Sequence, residues 1–397
     1  MVSIPPAIVI AGDVMGLAVV RSLAPLGVPV TVAYRAGAGV VAASRYVADR
    51  IQVPHPAEDE AGVVDRLVDA GPRLRGGVLI PASDEMLIVV SRHKASLHEW
   101  YHVACDEWPV VEQFVDKQFT YALADRAGVP SPRTVVMTSR EEMERVGKEV
   151  EYPVLVKPSQ SHLYSERFRR KLTQVENIEE LRVAFTEAQR EGLDVLLQQL
   201  IVGDDTQGTS YNCYMWDGEP LVEFTSRKVR LLPERFGRPT SMVSRRIPEL
   251  IEPGRRLLST AKYHGFANVE FKRDARDGVH KLMEVNARIN LASLLALRSG
   301  INFPWLMYRH LAFGEVPQPI QQTTGTYWID GGRDIASGMA ALIGRRTSLR
   351  SFVRPYFRRR VFAVYDWRDP GPALARYGGF ARSAARKALT RLPGVRA

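Results

Sequence analysis

Apolar and polar positions repeat in two different ways along this chain, and each predicts its own kind of element. Ala7 to Ala11 is an unbroken apolar run, Gly12-Asp13-Val14-Met15-Gly16 is a turn, and Leu17 to Leu26 has apolar residues at helical spacing up to Gly27. Val28 to Tyr34 is a second strand. Strands buried on both faces read as continuous apolar stretches, so the opening predicts a βαβ unit. Its turn lacks the Gly-x-Gly-x-x-Gly dinucleotide fingerprint, which leaves a structural turn or a substrate contact at the helix N-terminus. Residues 59–70 read as a helix, and Gly77 to Pro81 as a buried strand running into Ala82-Ser83-Asp84-Glu85. Polar residues just beyond a strand are where open α/β sheets bind ligands. Capping of the helix that begins near Glu85 is the other reading of Ser83 and Asp84. The stretch to about residue 108 completes a small α/β domain.

The middle of the chain mixes both periods. Asp116 to Ala127 is helical, with Lys117 near its start and Gly128 as its stop. Thr134 to Met137 is a short strand, and Ser139 with Glu142 forms a capping box for the next helix. Tyr152-Pro-Val-Leu-Val-Lys157-Pro158 is a strand that ends on a lysine. An ammonium at a strand terminus suits a nucleotide phosphate as a point charge, although a lone lysine there is also an ordinary solvated edge residue. The loop from Gln160 to Lys171 is rich in serine and arginine, and fits either a lid over phosphates or a disordered basic segment. Ile178 to Glu191 is an amphipathic helix. Val195 to Gly203, including Gln198, Gln199, Leu200 and Ile201, is a strand that leaves its sheet at a glycine, followed by Asp204-Asp205. Ser210 to Trp216 and Pro220 to Ser226 flank an Asp217-Gly218 turn, with Arg227, Lys228 and Arg230 at the end of that hairpin. Those three cations are read as ligands for substrate carboxylates or as partners in structural salt bridges. Ile251 to His264 is helical, and Ala292 to Leu297 begins another helix. No fold is predicted after Thr323, and no internal repeat is found.

The stretch from Asn268 to Arg288 carries the most chemistry. Val269, Glu270, Phe271 and Lys272 alternate strictly, as do Met283, Glu284, Val285 and Asn286, with Asp277-Gly278 between them. This predicts a β-hairpin. An odd-numbered loop centred near Asp277, with a bulge, sets Glu270 opposite Glu284 and puts Asn286 on the same face. A two-residue Asp-Gly loop would turn Glu284 to the other face. Two carboxylates about 4 Å apart repel by roughly 4 kcal/mol at an effective dielectric near 20. A hard divalent cation with all-oxygen ligands offsets that repulsion. The plainer alternative is a surface hairpin whose acids pair with Lys272, Lys281 or Arg288.

Composition narrows the class. The 397 residues are 45% hydrophobic and 25% charged, enough for two or three globular domains. No apolar run approaches the ~20 residues of a membrane span. The chain enters Ile8-Val9-Ile10 directly, so no signal peptide is expected and a cytoplasmic protein is. Cys105 and Cys213 match no metal-binding spacing and are expected to be reduced packing residues. The net charge of +10 is concentrated toward the C-terminus, in Arg345, Arg346, Arg358, Arg359, Arg360 and a last stretch from Arg376 to Arg396. Such a balance suits anionic partners. No zinc-finger spacing or RNA-binding aromatic signature accompanies it.

In this order the parts resemble the ATP-grasp carboxylate–amine ligases over about residues 5 to 315. The resemblance rests on Glu284-Val285-Asn286-Ala287-Arg288, on Lys157-Pro158 upstream, on the helix opened by Asp116-Lys117 and on the glutamine-rich strand that ends in Gly203. The branch containing D-aspartate ligases is the nearest in pattern. The resemblance implies a mixed α/β and α+β fold: an open parallel-sheet pre-domain over residues 1–110, an ATP-grasp domain over 111–320 with a small α+β lid at about 130–200, and a basic C-terminal extension over 321–397. It implies ATP and Mg²⁺, or Mn²⁺, as cofactors. Lys117, Lys157 and Lys171 would contact phosphates. Gln198, Gln199, Leu200 and Ile201 would hold adenine, and Asp205 the ribose. Glu270, Glu284 and Asn286 would ligate the metal in a cleft between two domains, and Arg288 with Lys157 would act on the transferred phosphoryl group. Two departures stand out: the loop after Lys157 is rich in Ser and Arg where the family often has glycine, and the usual hinge glutamate is Gln198 or Gln199.

The activity so implied is ATP-dependent joining of a small-molecule carboxylate to an amine, by a homodimer without a specific nucleic-acid partner and with at most a weak contact of its basic C-terminus to an anionic surface. A non-catalytic nucleotide-binding protein of the same fold is one alternative. A nucleic-acid or membrane binder using the basic tail is the other.

Overall fold

The computed structural model describes residues 4–10, 13–35, 37, 39–158 and 172–378. Gly12, the loop 159–171 with Lys171, and the basic residues from Arg382 onward lie outside the described residues. Among the described residues no helix is long and apolar enough to cross a membrane.

The first sheet is built from β1 (Ala7–Ile10), β2 (Val30–Arg35), β3 (Asp49–Val53), β4 (Gly77–Pro81) and β5 (Tyr101–Val103), all parallel, in the order β3-β2-β1-β4-β5. The winding reverses between β1 and β4. Their carboxyl ends therefore open onto one crevice, at the switch point where such sheets accept ligands. Asp13 follows β1 and caps the helix Val14–Leu23, accepting from the Met15 N–H at 3.0 Å. Ser83 follows β4 and caps the helix Asp84–Arg92 by accepting from the Met86 N–H at 3.3 Å, so capping holds for Ser83.

The lid predicted for about residues 130–200 is a four-stranded antiparallel sheet of β6 (Thr134–Met137), β7 (Val154–Pro158), β8 (Thr173–Val175) and β9 (Val195–Gln199), in the order β6-β9-β7-β8. The helices Arg140–Glu149 and Ile178–Arg190 back it. Its core of Met143, Val146, Val156, Leu181, Phe185 and Leu197 is its own. β9 ends at Gln199, and Leu200 to Gly203 are not part of it as the apolar pattern had suggested.

The third sheet has seven strands: β10 (Gly208–Trp216), β11 (Glu219–Leu232), β12 (Arg238–Ser244), β13 (Gly265–Arg273), β14 (His280–Asn286), β15 (Tyr327–Ile329) and β16 (Arg360–Phe362), in the order β14-β13-β10-β11-β12-β15-β16. β11 runs on through Arg227, Lys228 and Arg230, which thus lie within a strand and not at its end. This sheet shares its cores with the first. Ile10, Leu79, Leu87 and Phe114 pack in one cluster with Tyr211, Val269, Phe271 and Val285. Val9, Val20 and Ile80 pack in another with Tyr214, Phe266, Leu295 and Trp328. The parallel sheet and the large antiparallel sheet therefore form one body, to which the lid is attached with a core of its own.

The C-terminal extension departs from expectation. β15 and β16 extend the large sheet, and the helix Gly331–Ile343 packs on β11 and β12. Its Asp334 is fully buried and takes a two-point contact from Arg230, at 2.8 and 2.6 Å, with a bond from the Tyr356 hydroxyl at 2.7 Å. Arg230 is thereby a structural ion pair. Asp369, also fully buried, accepts from Arg21 Nε at 3.1 Å, the Ser44 hydroxyl at 2.8 Å and the Arg45 N–H at 3.0 Å, fastening the C-terminal segment to the first sheet's helices. No apolar period signals these contacts, because single buried charges make them.

Asp369→Ala strands the Arg21 guanidinium, and removing one partner of a buried pair costs about 3–5 kcal/mol. A correspondingly lower urea midpoint is expected. In the β13–β14 loop, hydrogen bonds from Arg276, with Lys281 adding to them, hold the Asp274 carboxyl below the usual carboxylate range. A depressed carboxyl stabilises the fold above its unfolded value, near pH 4, and that contribution disappears as pH falls through the folded value. Wild type should therefore lose more stability than Asp274→Asn between pH 7 and pH 3 in urea titrations, and a parallel loss would contradict the assignment.

Candidate functional site

The hairpin has the predicted register, reached by a different route. Asn268 stands opposite Asn286, Val269 opposite Val285 and Glu270 opposite Glu284. Past that point Phe271 pairs with Leu282, so Met283 is an extra residue in β14. Arg273 pairs with His280, which leaves the six residues Asp274 to Val279 as the loop. The expected odd-numbered loop is thus corrected to an even one, and the expected bulge supplies the odd residue. Leu282 takes the buried position assigned to Met283, which is only partly buried.

β10 continues the same face. Asn212 stands opposite Asn268, and Ser210 opposite Glu270. Asparagine disfavours strands, so Asn212, Asn268 and Asn286 side by side in three strands need a polar reason. They form a ladder. Asn212 Oδ1 accepts from Asn268 Nδ2 and from Asn290 Nδ2, both at 3.2 Å. Asn268 Oδ1 accepts from Asn286 Nδ2 at 3.3 Å, and Asn286 Oδ1 accepts from Arg288 at 3.1 Å. The ladder fixes which end of the Asn286 amide faces the cleft. Residue-by-residue reading of the sequence missed Asn212, Asn268 and Asn290; for Asn212 and Asn268 the rung they share with Asn286 was the available signal, and for Asn290, beyond the strand, there was none.

Of the remaining charges on this face, Lys228 and Lys272 have defined neighbours. Lys228 Nζ reaches Glu270 at 2.6 Å across Gly208, where a Cβ would stand 2.8 Å from Lys228 Cδ. A side chain at that position would crowd the lysine's path. Burial opposes the Lys228 charge, yet Glu270 outweighs it and holds the ammonium pKa above its usual value. Lys272 Nζ meets Asp205 at 2.6 Å, and the other Asp205 oxygen accepts from the Phe236 N–H at 2.6 Å. Both Asp205 oxygens are therefore engaged within the chain. Glu284 is exposed, and among the described residues its side chain makes no ion pair.

Arg288 joins the two main sheets. Its guanidinium donates to both Asp84 oxygens, at 2.7 and 2.6 Å, and is almost fully buried. Burial works against the charge; Asp84 more than offsets that and keeps the guanidinium pKa raised. Asp84 is thus a partner of Arg288 as well as the first residue of its helix. Crowding by the surrounding crevice pushes the nearby Asp13 carboxyl above the usual range, against the Met15 N–H and the Arg288 charge, although its side chain keeps contact with solvent. Lys117 opens the helix Lys117–Arg126 and lines one small cavity with Asp84, Thr120, Glu284 and Asn286.

The lid brings the rest. Lys157 lies near the end of β7, buried, and donates to Gln198 Oε1 on β9. The Gln198 amide donates in turn to Thr134 Oγ1 at 2.9 Å. Gln198 is wholly buried, so its side chain serves the lysine, while Gln199 is half-buried. The Leu200 carbonyl accepts from Arg276 of the hairpin loop at 3.2 Å, and Ile201 is buried. Cys105 and Cys213 are buried free thiols; burial raises the Cys105 pKa to about 12.

The donor set suits a hard cation: two carboxylates and an amide oxygen on one face, with no sulfur or imidazole among them. Among the described residues no three His, Cys, Asp or Glu side chains cluster to hold a metal by themselves. A cation here would thus need oxygen ligands beyond the two acids.

Comparison with known proteins agrees with this layout. A family model described as "ATP-grasp in the biosynthetic pathway with Ter operon" matches residues 210–328, the segment that holds the hairpin. The chain is 27% identical over 276 residues to a D-aspartate ligase of Enterococcus faecium, covering 64% of this chain and 63% of that protein. It is 26% identical over 217 residues to a D-alanine–D-alanine ligase of Ectopseudomonas mendocina, covering 50% of this chain and 64% of that one. The chain thus spans somewhat under two thirds of either relative. Among solved structures, an L-amino acid ligase from Bacillus licheniformis superposes with a TM-score of 0.62 at 16% identity, covering 80% of this chain and 78% of that one. The ADP complex of an N5-carboxyaminoimidazole ribonucleotide synthetase superposes with a TM-score of 0.66 at 13% identity, covering 87% and 86%. With a parallel pre-domain sheet, a lid and an antiparallel sheet carrying the acid hairpin, this chain has the ATP-grasp fold.

Proposed function

We propose that the protein is an ATP-dependent carboxylate–amine ligase. The observation that carries this reading is the rung that sets Glu270 opposite Glu284, next to Asn286 and the Arg288–Asp84 pair, at the mouth of the parallel sheet. Its relatives named as ligases of D-aspartate and of D-alanine support the same class.

In this reading Glu270, Glu284 and Asn286 hold Mg²⁺. Held there, the ion would supply charge neutralisation for the phosphates. Lys157, anchored by Gln198, and Lys117, at its helix start, supply fixed positive charge to the phosphates. Lys171 is assigned the same role by family resemblance. Gln198 to Ile201 form the adenine side. Asp205 meets the ribose only if it gives up an internal partner, which makes it the weakest member of the set. A substrate carboxylate oxygen attacks the γ-phosphorus, the bond to the β-phosphate oxygen breaks, and ADP leaves an acyl phosphate. The amine then attacks the acyl carbon, the bond to the phosphate oxygen breaks, orthophosphate leaves and the amine nitrogen gives up a proton. Arg288, held by Asp84 and Asn286, presents its guanidinium to the charge that develops on the acyl phosphate. The proton released by the amine passes to solvent.

Two tests follow. Glu284→Ala removes a ligand worth several kcal/mol beside the reacting phosphates, so Mg²⁺-dependent ADP release should fall at least about 100-fold while the circular dichroism spectrum is unchanged. Near wild-type turnover would exclude the metal role. Lys157→Ala removes a charged hydrogen bond of about 1.5–3 kcal/mol, so kcat/KM for ATP should drop by about 10- to 100-fold. The substrate pair is sought by screening amino acids and carboxylates for ADP release and weighing the product. A mass equal to the sum minus water establishes ligation, whereas phosphorylation of a single substrate would make the protein a kinase.

A further inference from the structure

On another part of the surface, a cleft of about 770 Å³ lies between the two main sheets' helices and the C-terminal segment. That volume is within the roughly 300–1,000 Å³ range of ligand sites. One wall is Arg21, Pro25 and Tyr46; another is the helix Ser293–Arg298; the third is the run from Arg358 to Arg368. Asp369 holds the walls together through Arg21, Ser44 and Arg45, and the Arg368 carbonyl accepts from Arg45 at 3.5 Å.

The charge of this cleft is one-sided. Six arginines line it against a single acid, Asp366. Arg21 is neutralised by Asp369. Among the described residues Arg298, Arg358, Arg359, Arg360 and Arg368 make no ion pair. Packing does not need that many unpaired cations, and clustering them costs repulsion. Aromatic faces stand among them. Trp367 is 73% exposed and Tyr365 55% exposed, both lining the cleft, and the Arg368 guanidinium lies 5.1 Å from the Trp367 ring centroid. Large aromatic rings left in water beside free guanidinium groups match the two contacts that single strands use, base stacking and phosphate pairing. A walled cleft suits a strand laid into it better than a flat lipid surface. Residues 379–397 contain no Asp or Glu, so the chain's own tail is electrostatically unsuited to fill it.

We propose that this cleft binds single-stranded nucleic acid without sequence readout, with phosphates on Arg358, Arg359 and Arg298 and bases stacked on Trp367 and Tyr365. None of these residues belongs to the ATP-grasp site, so the proposal stands apart from the ligase reading.

The test uses the full chain and a fluorescein-labelled oligothymidylate of about 12 nucleotides, within the usual range of site sizes, read by fluorescence anisotropy over a salt series. Saturable binding is expected, weakened at least about tenfold in Arg358→Ala/Arg359→Ala. Loss of two phosphate contacts should also flatten the slope of log affinity against log salt by about 1.4, at about 0.7 per contact for a single strand. Trp367→Ala should weaken binding about fivefold or more and leave that slope unchanged. Thymidine monophosphate should compete poorly; equal competition on a phosphate basis would overturn the strand and leave a mononucleotide site. Absence of saturable binding overturns the proposal. So does capture by phosphatidylglycerol vesicles in preference to the oligonucleotide. Binding that ignores the cleft substitutions and vanishes on removal of residues 379–397 also overturns it. ADP release by the cleft variants at the wild-type rate would show that their effect is confined to the cleft.

Discussion

One extra residue in β14 decides which way the acids of this protein face. Without the Met283 bulge, the six-residue loop would carry the Phe271–Leu282 register forward, and Glu284 would lose its place opposite Glu270. A one-residue slip exchanges every side chain between the faces of a strand. The same slip would draw Glu284 toward the core that holds Val269 and Val285. The burial of Val269, Val285 and Leu282 thus enforces the arrangement that Coulomb repulsion opposes. The hydrophobic core holds the like charges in register, and the surrounding cations reduce what that costs.

Those cations are distributed one to an acid. Lys228 serves Glu270, Lys272 serves Asp205 and Arg288 serves Asp84. Each pair joins segments distant in the chain, so the electrostatics of the face also ties the fold together. Arg288 has the longest reach. It links the end of the hairpin to the helix after β4, so the crevice of the parallel sheet and the acid face of the antiparallel sheet become two sides of one site. Glu284, outside this set of pairs, is the acid most open to an external cation.

Much of this was legible in the sequence. The largely apolar runs at β1, β2 and β4 read directly as strands of an α/β sheet, and the strict alternation at Val269–Lys272 and Met283–Asn286 read as a hairpin with the right register. Lys157 at a strand end and Lys117 at a helix start also stood where the pattern put them. The rest failed for identifiable reasons. β3 and β5 are short edge strands with too few apolar positions to register. β15 and β16 are three residues each and draw their support from Trp328 and from the isolated charges Asp334 and Asp369, which periodicity does not detect. Arg227, Lys228 and Arg230 looked like a strand's end because the cations interrupt its apolar pattern, although β11 continues through them. The six-residue loop could not be read from Asp277-Gly278 alone, since the bulge that compensates it depends on how Leu282 packs.

The buried contact between Lys157 and Gln198 carries a consequence for how the lid handles charge. The Gln198 side chain is a neutral amide. A neutral carbonyl can orient an ammonium without cancelling its charge, while a carboxylate in the same place would form an ion pair that an incoming anion must disrupt. Gln198 itself therefore fixes the position of the Lys157 ammonium without adding a countercharge to it. In a subdomain with a core of its own, the amide and the ammonium it positions sit on neighbouring strands of one sheet, so their geometry is set within that sheet.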